Sequence, residues 1–211
     1  MFNPTDVTII FGQRGSGKTT MQKTVSEIYP RIVVIDRLQE HNDGDLVTSS
    51  IEVFENFLKS AIKNDLEKFK VIFHFQVGQN EEILQETFSR VVKDCYMWGR
   101  ITQNNLCLSI EEVHFFATAT WCDPWLFESV MTGRHSNLAI VCSSQRPASV
   151  HKSLISQAGN VLIGRLYEKR DIEYLVATVG DCAYRASEIE KYKFLHYAPG
   201  GGVVQEIPNT L

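Results

Sequence analysis

The chain has 211 residues, 44% of them hydrophobic and 22% charged, the balance of an ordinary globular protein long enough to bury a substantial core. A net charge of −4 gives no global basic footprint of the kind nucleic-acid binders carry, although an assembly of acidic subunits can still gather a few basic residues around one opening. No apolar run approaches the roughly 18 residues of a membrane span, and no basic stretch at the start leads into an apolar one, so an intracellular protein without direct membrane insertion is expected.

The first predicted strand, Val7-Thr8-Ile9-Ile10-Phe11, runs into Gly12-Gln13-Arg14-Gly15-Ser16-Gly17-Lys18-Thr19-Thr20, after which Met21, Val25 and Ile28 mark one face of a helix. Strand, glycine-rich turn and helix is the setting that the phosphate-binding pattern G-x-x-x-x-G-K-[ST] requires. The glycines let successive backbone N–H groups converge on one phosphate, and the helix start adds unpaired N–H groups and the positive end of its dipole. Residues 12–20 are therefore the expected nucleotide cradle. Lys18 can reach the β- and γ-phosphates of ATP, and the Thr19 hydroxyl can join the Mg²⁺ shell. Because the loop begins at residue 12, no accessory domain is expected ahead of it, and the chain is expected to act as a bare nucleotide-binding core.

Short apolar runs then alternate with helical patterns. Residues 31–36 and 71–75 read as buried strands. Residues 51–64 form an expected helix with Val53, Phe57 and Ala61 at four-residue spacing, and 40–45 a polar acidic loop. The pattern over 81–98 predicts a long helix with Ile83, Leu84, Phe88, Val91, Val92 and Cys95 as its apolar stripe. Strands follow at 106–110, 138–142 and 160–166, and short helices at 124–131, capped by Asp123 with Pro124 first, and at 150–157. Helices are expected at 169–179 and 183–190. The chain ends in an antiparallel edge hairpin of 193–198 and 203–207 joined by Pro199-Gly200-Gly201-Gly202. No internal repeat or Pro/Gly/Ser-rich linker interrupts this, so residues 1–211 read as one α/β domain, a mainly parallel sheet with helices on both faces. The five cysteines, odd in number and without C-x-x-C spacing, read as buried small residues of an intracellular protein.

The second half of a site lies at strand ends, where open α/β sheets bind ligands. Ile110-Glu111-Glu112 closes an apolar run. Glu111, the first acid after the strand, is assigned to Mg²⁺. Glu112 is assigned as the general base that polarises the attacking water. A solvated pair of glutamates capping a strand is the plainer alternative. Gln145 ends the strand before Pro147, either as a γ-phosphate sensor or as an amide capping a turn, with Ser144 a weaker candidate beside it. His114 is a relay of nucleotide state or a loop histidine with a local partner. Arg134, between a helix and a strand, is a candidate finger for a neighbour's site or an exposed surface arginine; Arg146 and Arg165 are its rivals.

Three segments together resemble the FtsK–HerA superfamily of DNA-translocating ATPases: Gly12 to Thr20, the hydrophobic-Glu-Glu-x-His run ending at His114, and Gly133-Arg134-His135 running on to Ser144-Gln145-Arg146-Pro147 and the region through Leu166. The resemblance implies a three-layer RecA-like P-loop core of the ASCE type, which forms a hexameric or similar ring around double-stranded DNA. It also implies Lys18 and Thr19 on phosphate and Mg²⁺, Glu111 and Glu112 as metal and catalytic acids, Gln145 as sensor and Arg134 as trans finger. The Glu-Glu order departs from the commoner Asp-Glu. The bare core is most similar to the genome-packaging ATPases of internal-membrane icosahedral viruses, especially archaeal turreted ones. That narrower likeness implies a pentamer or hexamer, capsid or vertex partners, and a place in the host cytoplasm or on the virion. Two alternatives are a cellular or plasmid HerA-like helicase or transfer ATPase, and a P-loop small-molecule kinase. Against the kinase, the sequence shows no arginine-rich lid; against a guanine-nucleotide switch, it shows no N/T-K-x-D pattern.

Overall fold

The computed structural model describes residues 5–76, 78–198 and 204–208. Among these residues, nine strands form one sheet: β1 (Val7–Phe11), β2 (Arg31–Asp36), β3 (Leu46–Thr48), β4 (Phe69–His74), β5 (Leu106–Ile110), β6 (Leu138–Ser144), β7 (Ala158–Ile163), β8 (Lys193–Tyr197) and β9 (Val204–Pro208). Their spatial order is β3-β4-β2-β5-β6-β1-β7-β8-β9. Every pair from β3 to β7 is parallel, whereas β8 pairs antiparallel with β7 and β9 antiparallel with β8. The C-terminal hairpin thus extends the sheet as expected; its Pro199–Gly202 turn lies outside the described residues. The helices are α1 (Lys18–Ser26), α2 (Ile51–Lys63), α3 (Glu81–Thr102), α4 (Pro124–Thr132), α5 (Lys152–Ser156) and α6 (Lys169–Val179).

The strands are apolar almost throughout, and their period of two divides the core between the faces of the sheet. Ile9, Val33, Val71, Leu108 and Ile140 join one cluster with residues of α2 to α6, including Phe54, Phe88, Leu126, Ile155 and Leu175. Ile10, Ile32, Val34, Val141 and Leu162 join a smaller one with Met21 and Val25 of α1 and with Phe194 of β8. Helices cover both faces, but unevenly: α1 stands alone on one of them.

Several details differ from the sequence reading. In α2 the buried residues are Phe54, Leu58 and Ala61, and Val53 is 46% exposed. A row at strict four-residue spacing drifts off a helix of period 3.6, so burial mixes steps of four and three. Ile83 flanks the α3 stripe, and Ile28 lies beyond the end of α1; both are exposed. Helix α3 continues to Thr102, where Gln103 terminates it in the left-handed region. The segment 181–187 winds as a 3-10 helix rather than an α-helix. Strand β7 starts and stops earlier than expected, and Gly164, just past its end, donates to the Phe11 carbonyl of β1. Strand β3 is too short for a periodic signal. Asp123 does cap α4, accepting from Leu126 N at 2.9 Å.

Gly99 of α3 faces the 3-10 turn Gly133–Ser136. A Cβ built there meets the Ser136 carbonyl oxygen at 1.9 Å. In an open helix Gly→Ala stabilises by about 1 kcal/mol. Here we expect the opposite sign: Gly99→Ala should lower the midpoint of urea unfolding, because the clash is with backbone.

Candidate active site

The phosphate loop leaves β1 between its two sheet neighbours. Gly12 N donates to Ser144 O of β6 (3.3 Å), and Gln13 N donates to Arg165 O beyond β7 (2.9 Å). Gly15 and Gly17 have φ of 77° and 93°, which side chains rarely tolerate, and α1 begins directly after Gly17. A Cβ on Gly12 would meet Ser16 Oγ at 2.4 Å. Ser16 Oγ is buried without a partner, an unsatisfied group of the kind a bound phosphate oxygen completes. The loop opens into a cleft of about 730 Å³ at the carboxyl edge of the parallel strands. Gln13, Arg14, Gly15, Gly17, Lys18, Thr19 and Thr20 line it from one side; Glu111, Glu112 and Gln145 line it from the tips of β5 and β6.

The sheet order decides what can meet there. Strand β6 is inserted between β1 and β5, and it outreaches β5: Ile110, the last residue of β5, pairs with Cys142, leaving Ser143, Ser144 and Gln145 beyond it. Glu112 follows Ile110 by two residues in the left-handed region (φ 47°, ψ 54°), a strained conformation for a side chain of this size. Its carboxylate is held on several sides. Lys18 Nζ lies 2.9 Å from Oε1, Gln145 Nε2 donates to Oε1 at 2.6 Å, and Gln145 N donates to Oε2 at 3.2 Å. His114 Nδ1 stands 3.4 Å from Oε2 and 3.1 Å from Ser144 Oγ. Burial raises the Glu112 pKa, but the hydrogen bond from His114, the Lys18 charge and the Gln145 amide together outweigh it and bring the value down to about 2.

Glu111 turns the other way. Its Oε1 is 2.9 Å from His41 Nε2, and that hydrogen bond is the main cause raising the His41 pKa against the opposing effect of burial. The residues after β2 form a strap beside it. Asp36 accepts from His41 N (2.8 Å) and Leu38 N (3.1 Å), and His74 Nε2 bonds the His41 carbonyl at 2.9 Å. Asp43, within the expected acidic loop, bridges Lys23 of α1 (2.6 Å) and Lys70 of β4 (2.9 Å). Asp36, His41, Asp43 and His74 were missed as site residues by the sequence reading. Asp36 carried one usable signal, an acid closing an apolar strand at the ligand edge.

Thr19 and Glu111 face the same cleft. One hydroxyl and one carboxylate are hard oxygen donors of the sort Mg²⁺ takes while substrate phosphates and water complete its shell, so the residues present fit that ion. Arg134 is elsewhere: it is exposed on the turn before β6, beside Thr5 and Val7, at the amino edge of the sheet. The seven residues of β6 separate it from Gln145 by about 20 Å. Arg146 is exposed beside the cleft, whereas Arg165 donates from Nε to Ile189 O at 2.7 Å within its own chain.

No family model matches the sequence, and no curated protein matches it. Solved structures do. The genome-packaging NTPase B204 of Sulfolobus turreted icosahedral virus 2, in complex with ATP-gammaS, has a TM-score of 0.79 at 16% identity, with 100% of each chain covered. The DNA-packaging ATPase B204 of Sulfolobus turreted icosahedral virus scores 0.70 at 16% identity over 97% of this chain and 98% of that one. VirB4 of Thermoanaerobacter pseudethanolicus scores 0.63 at 11% identity over 97% and 88%. The fold is that of the RecA-like P-loop ATPases, and the likeness to the two B204 proteins covers 97% to 100% of this chain.

Paired with two lysines, Asp43 has its carboxyl held well below its usual value near 3.8. A lowered folded-state pKa adds stability that is full above the unfolded value and is lost as pH falls through it. The stability gap between wild type and Asp43→Asn should therefore be constant near neutrality and close as pH drops below about 4, measured by denaturant unfolding across pH.

Proposed function

We propose that this chain hydrolyses ATP and uses the reaction to drive double-stranded DNA into a preformed viral capsid, working as a ring of identical subunits. The observation that carries this reading is the cleft in which Lys18 of the phosphate loop meets Glu112 and Gln145 across an inserted strand. The full-length likeness to B204 supports the packaging role.

In this reading the loop amides and Lys18 bind the triphosphate, and Thr19 and Glu111 hold Mg²⁺. When bound, that ion would supply positive charge against the phosphate oxygens. Glu112 takes the proton of the attacking water. Before nucleotide arrives, Lys18 and Gln145 hold this carboxylate in its charged, weakly basic form. A triphosphate competes for the Lys18 ammonium. As that cation shifts to phosphate, Glu112 loses a stabilising charge and its affinity for a proton rises at the moment it is needed. Gln145, bonded to the same carboxylate, senses the change.

The test is ATPase turnover with and without duplex DNA over a range of protein concentrations. We expect stimulation by DNA and a cooperative rise with concentration. Glu112→Gln should bind ATP about as tightly as wild type and turn over at least 100-fold more slowly, whereas Lys18→Ala should lose nucleotide binding itself. Turnover of Glu112→Gln at the parental rate removes Glu112 from its role. A likeness to the bacterial conjugative coupling protein TrwB favours a second reading, a transfer ATPase of conjugation type; a requirement for empty capsids in a DNA-uptake assay separates the two.

Arg134 is too far from its own cleft to act in cis, so its proposed role as a finger requires a neighbour. Mixing Arg134→Ala with Lys18→Ala subunits should then restore measurable turnover, since some interfaces would combine an intact cleft with an intact arginine. Two inactive variants that stay inactive when mixed would return Arg134 to the surface.

A further inference from the structure

The cleft is mostly polar, but two exposed apolar side chains stand in it: Leu38, 55% exposed, and Tyr192, 48% exposed. They lie on opposite sides of the phosphate loop. Leu38 follows β2, on the side of β5 and β6 from which Glu111, Glu112 and Gln145 project. Tyr192 immediately precedes β8, two strands beyond β1 in the other direction. If the γ-phosphate faces Glu112, the triphosphate must run along the loop with its α-phosphate, ribose and base toward β7 and β8. Two strand spacings, about 10 Å, bring that path to the start of β8.

We propose that Tyr192 is the platform on which the nucleobase stacks, an inference that rests on the ATPase reading above. Tyr192 is the one aromatic side chain among the described residues lining the cleft. Its backbone sits in the left-handed region (φ 67°), an outlier for an aromatic residue. The turn that carries it is built into the floor of the site. Arg165 accepts from Gln13 N of the phosphate loop through its carbonyl (2.9 Å), and through Nε it donates to Ile189 O, three residues before Tyr192 (2.7 Å). Arg165 is thus a positioning residue that ties the turn to the cradle. At the tip of β7, a Cβ on Gly164 would meet the Phe194 ring at 2.8 Å, so glycine there lets β8 approach closely. Lys191 Nζ lies 4.7 Å from the centroid of the Tyr192 ring, and the residue remains half exposed.

Every nucleobase has a π-face, so the platform contributes affinity for the base and none for the phosphates. The experiment compares ATP with inorganic tripolyphosphate, each with Mg²⁺, by calorimetry on the full chain. Tyr192→Ala should weaken ATP binding by about 5- to 150-fold, the range of base–aromatic stacking, and leave tripolyphosphate affinity unchanged. Tyr192→Phe should bind ATP like wild type. Unchanged ATP affinity in the alanine variant, a parallel loss of tripolyphosphate, or a phenylalanine variant as weak as alanine each overturns the platform. Wild-type protein that binds neither ligand overturns the ATPase reading, and this inference with it.

Discussion

The pairing of Lys18 with Glu112 organises the site. Both residues are buried, 9% and 5% exposed, and they come from segments 94 positions apart. Taking two such charges out of water costs several kcal/mol per ion, and their attraction recovers it only where geometry and further hydrogen bonds are good. Two bonds from Gln145 and the approach of His114 supply those extras on the carboxylate side. The ammonium faces an open polar cleft, with Ser16 Oγ nearby in the loop still unsatisfied. An apolar pair of similar volume would stabilise the fold as well or better. The arrangement is therefore better explained by the ligand it awaits than by the stability it adds.

That pairing depends on where β6 lies. With β5 directly beside β1, the Glu112 carboxylate would crowd the loop. With β6 between them, two strand spacings separate β1 from β5, and the tip of β6 supplies Gln145 to bridge the gap. The same order divides the cleft. On the β5 and β2 side, Glu111 is steadied by His41, itself fixed by Asp36 and His74. On the β7 and β8 side lie Arg165 and the Tyr192 turn. In the proposed reading, metal and nucleobase would thus be held on opposite flanks of β1, and the strap from Leu38 to Asp45 is anchored to α1 and β4 through Asp43.

How much of this was legible in the sequence follows from how local each signal is. The phosphate loop, the acids closing β5 and the amide closing β6 are each encoded within a few residues of an apolar run, so their position at the carboxyl edge could be read directly. Their meeting required in addition that the strands be parallel and that β6 lie between β1 and β5, an order no local signal encodes. His41 and Tyr192 carry no such local mark. His41 reaches Glu111, and Tyr192 the cleft, because a particular strand neighbours another, β2 beside β5 and β8 beside β7, and strand order is a long-range property. The faces of α2 and the end of α1 were misjudged for a smaller reason: a spacing of exactly four residues does not follow the helix period, and Ile28 falls past the last turn.

The amino edge of the sheet poses the remaining structural question, which is why an exposed arginine should be held so firmly there. Arg134 and His135 are exposed, but Gly133 and Ser136 on either side of them are buried. The turn is pressed against α3 at Gly99, where no side chain larger than hydrogen fits, and Asn137 leaves it in the left-handed region to enter β6. Leu106 N of β5 donates to the Asn137 carbonyl at 3.0 Å, so the exit from the turn is locked to the strand that carries the glutamates. A guanidinium on a mobile loop would spend ordering entropy each time it entered a neighbour's cleft. One mounted on a turn fixed by α3, β5 and β6 would spend much less, and any displacement of β5 or β6 at the nucleotide edge would be carried to it through the strands themselves. In the proposed ring, that would be a mechanical route by which one subunit's nucleotide state sets the position of the cation offered to the next.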